Sequence, residues 1–135
     1  MKIVIIFFLL TSNLVLCQDF DKFQTDKYVQ QFQLKNYDEI HEGYKDNTLF
    51  SFLISRDENK KILSIRESLG KNRITRNEYY YFNNKLIYIR HYIYNRKKNV
   101  EKNNCIIYPT LNLNNPEKCK SKNLISHGYW MLNNN

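Results

Sequence analysis

Two ten-residue runs, Arg73 to Phe82 and Lys85 to Tyr94, flank the dipeptide Asn83-Asn84. Asn tolerates positive φ, so this dipeptide suits the two-residue turn of a β-hairpin. Such a loop pairs Phe82 with Lys85 and carries one register outward along both strands. One face then holds Ile74, Arg76, Glu78 and Tyr80 with Ile87, Ile89, His91 and Ile93. The other holds Thr75, Asn77, Tyr79 and Tyr81 with Leu86, Tyr88, Arg90 and Tyr92. The isoleucines mark the first face as the core side, and the tyrosine-rich face is half-exposed or set against a second layer. A chain built around this hairpin is directed to an antiparallel sheet.

The flanking segments extend that sheet and add a helix. Phe20, Phe23, Val29, Phe32, Tyr37 and Ile40 are spaced mostly by three, which predicts an amphipathic helix over 25–41. Thr25 or Asp26 would cap it and Gly43 would stop it. From Asn47 the period changes to two. Phe50, Phe52 and Ile54 alternate with polar or smaller residues, and Leu63 and Ile65 follow after a polar link. Leu69 to Asn72 reads as a turn, 95–104 as a polar connection or strand extension, and Cys105 to Tyr108 as a short strand ended by Pro109. Thr110 to Asn123 reads as loop and Leu124 to Leu132 as a last strand. The expected fold is α+β. An N-terminal amphipathic helix packs on an antiparallel β-meander of four to six strands, with Val29, Phe32 and Ile40 meeting the Ile87, Ile89 and Ile93 side.

The N-terminus reads as an export signal. Met1-Lys2 is followed by an unbroken apolar run, Ile3 to Leu10, extended by Leu14, Val15 and Leu16. The region is enough for a signal peptide and short of the ~20 residues that span a bilayer. Residues 1–17 are expected to be a signal peptide and 18–135 a single small domain, secreted or periplasmic. Cleavage after Cys17 would leave Gln18 at the new terminus. The alternative is a lipobox, Leu14-Val15-Leu16-Cys17, with a lipid anchor on Cys17. No later run is long enough for a transmembrane helix.

The formal charge is +8, yet the chain holds 19 Asn, 15 Lys, 14 Ile and no Ala, the signature of A/T-rich codons. The basic residues fall in short clusters such as Lys60-Lys61 and Arg96-Lys97-Lys98, with no nucleic-acid-binding module among them. Nucleic acid is therefore not an expected partner; a protein or a glycan is.

Catalytic motifs are absent from the sequence. His41, His91 and His127 lie 50 and 36 residues apart, without the close pair of a zinc site, so no metal and no cofactor are expected. Glu78 reads as an ion-pair partner on the face it shares with Arg76. His91 reads as a strand residue beside Arg76, and His127 as a turn residue before Gly128. Cys105 and Cys119 lack Cys-x-x-Cys spacing and are the only cysteines beyond Cys17, so in an oxidising compartment they pair with each other. The candidate binding surface is Tyr79, Tyr81, Tyr88, Arg90 and Tyr92, because Tyr and Arg are enriched where proteins bind proteins or sugars. The function expected is a small non-catalytic binding protein, such as an inhibitor or immunity-type partner of another protein. The alternatives are a lipid-anchored envelope protein with a structural role and a small secreted hydrolase acting on a polyanion.

Overall fold

The structure is a computed structural model that describes residues 20–33, 37–115 and 119–135. The expected signal peptide, Cys17 and Gln18 lie outside the described residues. Helix α1 (Lys22–Gln33) comes first. Strands β1 (Glu39–Lys45), β2 (Thr48–Arg56), β3 (Ile62–Leu69), β4 (Arg73–Phe82), β5 (Lys85–Asn95), β6 (Val100–Tyr108) and β7 (Leu113–Asn115) follow, and helix α2 (Ser121–Asn134) comes last. The seven strands form one antiparallel sheet in chain order, each paired with its sequence neighbours. Among the described residues the arrangement is α+β, with seven strands where four to six are expected and two helices where one is.

The turns explain the meander. Asp46-Asn47 and Asn83-Asn84 all have positive φ (49°, 63°, 49° and 61°), as a two-residue hairpin loop of the favoured twist requires. Phe82 pairs with Lys85 and Tyr81 with Leu86, as the sequence predicts. The register then shifts. Tyr80 pairs with Tyr88, Tyr79 with Ile89 and Glu78 with Arg90, so Ile87 is the extra residue of a β-bulge. An unbulged hairpin would set Ile89 against Glu78. The bulge sets it against Tyr79 instead, and both are fully buried.

That one residue exchanges the faces. Tyr79, Tyr81, Leu86 and Ile89 share one side with Ile54, Ile65, Ile107 and Met131, where α2 packs. Tyr80, Ile87, Tyr88 and Tyr108 share the other with Val29, and Phe20, Tyr28 and Phe32 close over them from α1. The Phe20 ring stacks on Phe82 with centroids 4.3 Å apart. The sheet thus has a helix on each face, over its middle and its β5–β6 side.

Both helices differ from expectation for local reasons. Asp21, not Thr25 or Asp26, caps α1: its Oδ1 accepts the Gln24 amide at 2.8 Å while Gln24 Oε1 accepts the Asp21 amide at 3.0 Å. The helix ends at Gln33, so Ile40 lies on β1 with 63% of its surface exposed, and Gly43 lies in that strand beneath the Phe50 ring. Leu124 to Leu132 belongs to α2 rather than to a strand. Its buried or half-buried residues, Leu124, Ile125, Gly128, Met131 and Leu132, follow the helical spacing. Cys105 and Cys119 form the expected disulfide, tying β6 to the chain that enters α2.

Candidate functional site

The five residues expected to form one binding surface are divided between the two faces. Tyr79 and Tyr81 are fully buried beneath α2. Tyr88 is buried beneath α1, and its hydroxyl is pushed up to about 12 by that burial. Tyr92 and Arg90 lie on the α1 side of the sheet, beyond the helix. The shared tyrosine patch is therefore corrected to core packing for three residues, because the bulge at Ile87 turns Tyr88 away from Tyr79.

What lies around Tyr92 is a cationic surface. β3, β4 and β5 place Arg66, Arg76, Glu78, Arg90 and Tyr92 on the same side by their registers. Arg66 donates from Nη2 to Glu78 Oε1 at 2.8 Å, and the Tyr92 hydroxyl donates to the same oxygen at 3.1 Å. Glu78 is buried. Burial opposes the charge on Arg66, but the Glu78 carboxylate and the hydroxyls of Tyr37, Tyr92 and Tyr80 together outweigh it, and the guanidinium pKa lies above its ordinary value. Burial also raises Tyr92, Glu78 raises it further, and a hydrogen bond with Arg76 pulls it back. Three guanidinium groups lie over tyrosine rings: Arg66 over Tyr37 at 5.3 Å, Arg76 over Tyr94 at 5.3 Å and Arg90 over Tyr92 at 4.4 Å. Arg90 is also held by Glu101 at 2.7 Å.

Beside this array lies a groove of about 200 Å³, lined from β1 to β4, from the β3–β4 turn and by Arg96 just past β5. Arg66, Lys71, Arg76 and Arg96 are its cations, Leu49 and Leu53 its apolar wall, and Ser51 and Ser68 its hydroxyls. Glu42 is its one carboxylate. The Nε atoms of Arg66 and Arg76 are buried without a hydrogen-bond partner among the described residues. Guanidinium forks with donors to spare are suited to a carboxylate, phosphate or sulfate group. The volume is below the usual range for a drug-sized ligand, so it suits one anionic group of a larger partner.

The opposite face gathers the other polar cluster. Asn77 Nδ2 donates to Glu67 Oε2 at 2.8 Å, and its Oδ1 lies 2.6 Å from His91 Nδ1. Since Asn77 donates from its amide nitrogen, its oxygen accepts a hydrogen bond from the His91 Nδ1–H. His127 Nε2 lies 3.3 Å from Glu67, and the His127 ring stacks on Trp130. His91 therefore faces Asn77 and not Arg76, and His127 sits in α2 and not in a turn. The spacing in sequence could not bring these four together, because Glu67, Asn77 and His91 meet only through strand register. Among the described residues no His, Cys, Asp and Glu group is arranged to hold a metal ion, and no helix is long and apolar enough to cross a membrane. Compared with protein-family models, curated proteins and solved structures, the chain matches none.

Proposed function

We propose that the protein is an exported, non-catalytic binding protein whose 18–135 domain seats an anionic group of a protein or glycan partner in the arginine-lined groove. The observation that carries this reading is the gathering of four cations, Arg66, Lys71, Arg76 and Arg96, in one groove whose lining residues include a single carboxylate, Glu42. Guanidinium N–H groups that reach the groove would make charge-assisted hydrogen bonds to a bound oxyanion. Tyr92 pairs with Arg76 of the groove and Arg90 lies over its ring, and both are proposed to contact the partner beside the bound group. Tyr79, Tyr81 and Tyr88 take no part. The Cys105–Cys119 bridge supports an oxidising compartment. Purified native protein should begin at Gln18 by intact mass, and a lipid on Cys17 would replace free export with an anchored form.

The test is a titration followed by nitrogen–proton correlation spectra, using inorganic sulfate, an oligoglutamate peptide and a sulfated disaccharide. Backbone signals of Ser51, Ser68 and Arg76 should move with at least one probe, and Arg76→Gln with Arg96→Gln should abolish the shifts. Unmoved signals with all three probes refute the groove as an anion site.

A second reading, hydrolysis of a polyanion, is favoured by the Glu67–His127 contact with His91 held nearby through Asn77. There Glu67 would orient His127 and Asn77 would hold His91 by its Nδ1 proton, the two imidazoles sharing the proton transfers. Hydrolysis of a polyanion by the wild type that disappears in His127→Gln and in His91→Gln, with the fold intact, would establish it over binding alone.

A further inference from the structure

β1 is the outer strand at one side of the sheet, and among the described residues no strand pairs with its far edge. Natural sheets blunt such edges with prolines, bulges, a very short strand or charged side chains. β1 has no proline and no bulge, and its charges, Glu39, Glu42 and Lys45, are of both signs. Its seven residues pair with β2 without a break in register. Its two large apolar side chains, Ile40 and Tyr44, stand 63% and 73% exposed on the same side of the sheet. Both helices make their main contacts with β5, and α2 extends to β2, the strand next to β1, where Ile54 joins its cluster and Arg56 donates to the Asn135 carbonyl oxygen.

The sequence of β1 is complementary to itself when reversed. Antiparallel pairing about a two-fold axis normal to the sheet, centred on Glu42, sets Glu39 of each copy opposite Lys45 of the other. It sets Ile40 opposite Tyr44, and His41 opposite Gly43. All seven residues are used. Centring on His41 would place Ile40 against Glu42, and centring on Gly43 would place Tyr44 against Glu42. Only the Glu42 register joins opposite charges at both ends and apolar side chains between them. Its one adverse contact is Glu42 against its own copy at the axis. We infer that β1 is a dimerisation edge whose occupant is β1 of a second copy of this chain, making one fourteen-stranded sheet.

An axis normal to the sheet leaves each face on its own side. Both arginine-lined grooves then open on one surface, separated by the paired β1 strands. The dimer presents two anion sites to one partner molecule.

Sedimentation of the wild type from micromolar to near-millimolar concentration tests this. A monomer–dimer equilibrium is expected. Glu39→Lys alone and Lys45→Glu alone should each weaken association about tenfold, since each turns two opposite-charge pairs into like-charge pairs. Mixing the two variants should restore it, because the heterodimer regains both pairs. Glu42→Gln should tighten the dimer, and this exposed position gives an arm that does not disturb the Glu39–Arg56 contact. Circular dichroism verifies that each variant is folded. A wild type that stays monomeric throughout overturns the proposal and leaves the edge to a strand of another protein. A dimer whose strength ignores all three charge changes overturns it equally.

Discussion

The Tyr81 hydroxyl donates to the carbonyl oxygen of Gly128 at 2.8 Å, joining the middle of the sheet to the middle of α2. Both groups are buried. Burial pushes the tyrosine pKa far above its ordinary value, so the phenol stays a donor at every pH at which the protein is folded. Tyr81→Phe leaves that carbonyl without its side-chain donor and should cost about 1–2 kcal/mol in urea unfolding, with little change in the slope of the transition.

Gly128 matters for its missing side chain. A Cβ there would come within 2.6 Å of Leu86 Cδ2 and 2.9 Å of Tyr79 Cδ1, both on fully buried residues. Ala is favoured over Gly in a helix by about 1 kcal/mol, but overpacking a rigid core costs about 1–3 kcal/mol. Gly128→Ala should therefore lower the melting temperature. A rise would show that α2 can lift off the sheet without loss.

The bulge makes a prediction about faces. Ile89 packs beneath α2 and Ile87 beneath α1, although an even hairpin would put them side by side. Ile89→Ala should cost about 2–4 kcal/mol, as for a fully buried aliphatic. Ile87→Ala combined with Val29→Ala should cost less than the two changes made singly, since those residues share one cluster. Ile89→Ala combined with Val29→Ala should be additive. Asn84→Gly should be neutral or stabilising, because φ at Asn84 is already 61°. Equilibrium unfolding of the six variants, four single and two double, separates these outcomes.

His91 sets a pH dependence. Burial lowers its pKa from 6.5, and its Nδ1 proton is held by Asn77. The unfolded chain therefore takes up the proton first as pH falls. The contribution of neutral His91 is complete above the unfolded value and is lost as pH drops from about 6.5 through the lower folded value. The difference in stability between wild type and His91→Gln should shrink over that window and stay flat above it. A difference that grows on acidification would reverse the sign and contradict the burial.

The Cys105–Cys119 bridge spans 14 residues of sequence. On the chain-entropy argument it contributes ~3 kcal/mol, a large share for a domain of this size. Unreduced, denatured protein should resist thiol alkylation at both positions, and reductant should lower the melting temperature. Two alkylated cysteines per chain would refute the bridge.

The sequence made some of this legible and hid the rest for identifiable reasons. Asn83-Asn84 announced its turn because few residues tolerate positive φ. Cys105 and Cys119 had only each other. The bulge left no local mark, since alternation persists on either side of Ile87 and only the pairing shows which residue is extra. Ile125, Tyr129 and Trp130 favour strands and so mask α2, although Leu124, Ile125, Gly128, Met131 and Leu132 have the spacing of one helix face. Asp21 and Gln24 have the form of a capping box one turn before Thr25. The arginine groove needed more than any single segment could offer. Arg66 and Arg76 become neighbours only when the turn at Gly70, with its φ of 108°, sets the register of β3 on β4.

Among the described residues α2 follows every strand and is the helix that covers Ile65, Tyr79, Tyr81 and Ile89. Because each strand pairs with its predecessor, the sheet can assemble progressively as the polypeptide emerges from whatever channel delivers it. Its larger apolar side stays bare until the final helix arrives. A nascent chain therefore passes through a stage of adhesive, one-sided β-sheet, during which a holding chaperone has something to grip. A premature stop codon before Ser121 would leave that stage as the end product, an aggregate rather than a smaller working protein.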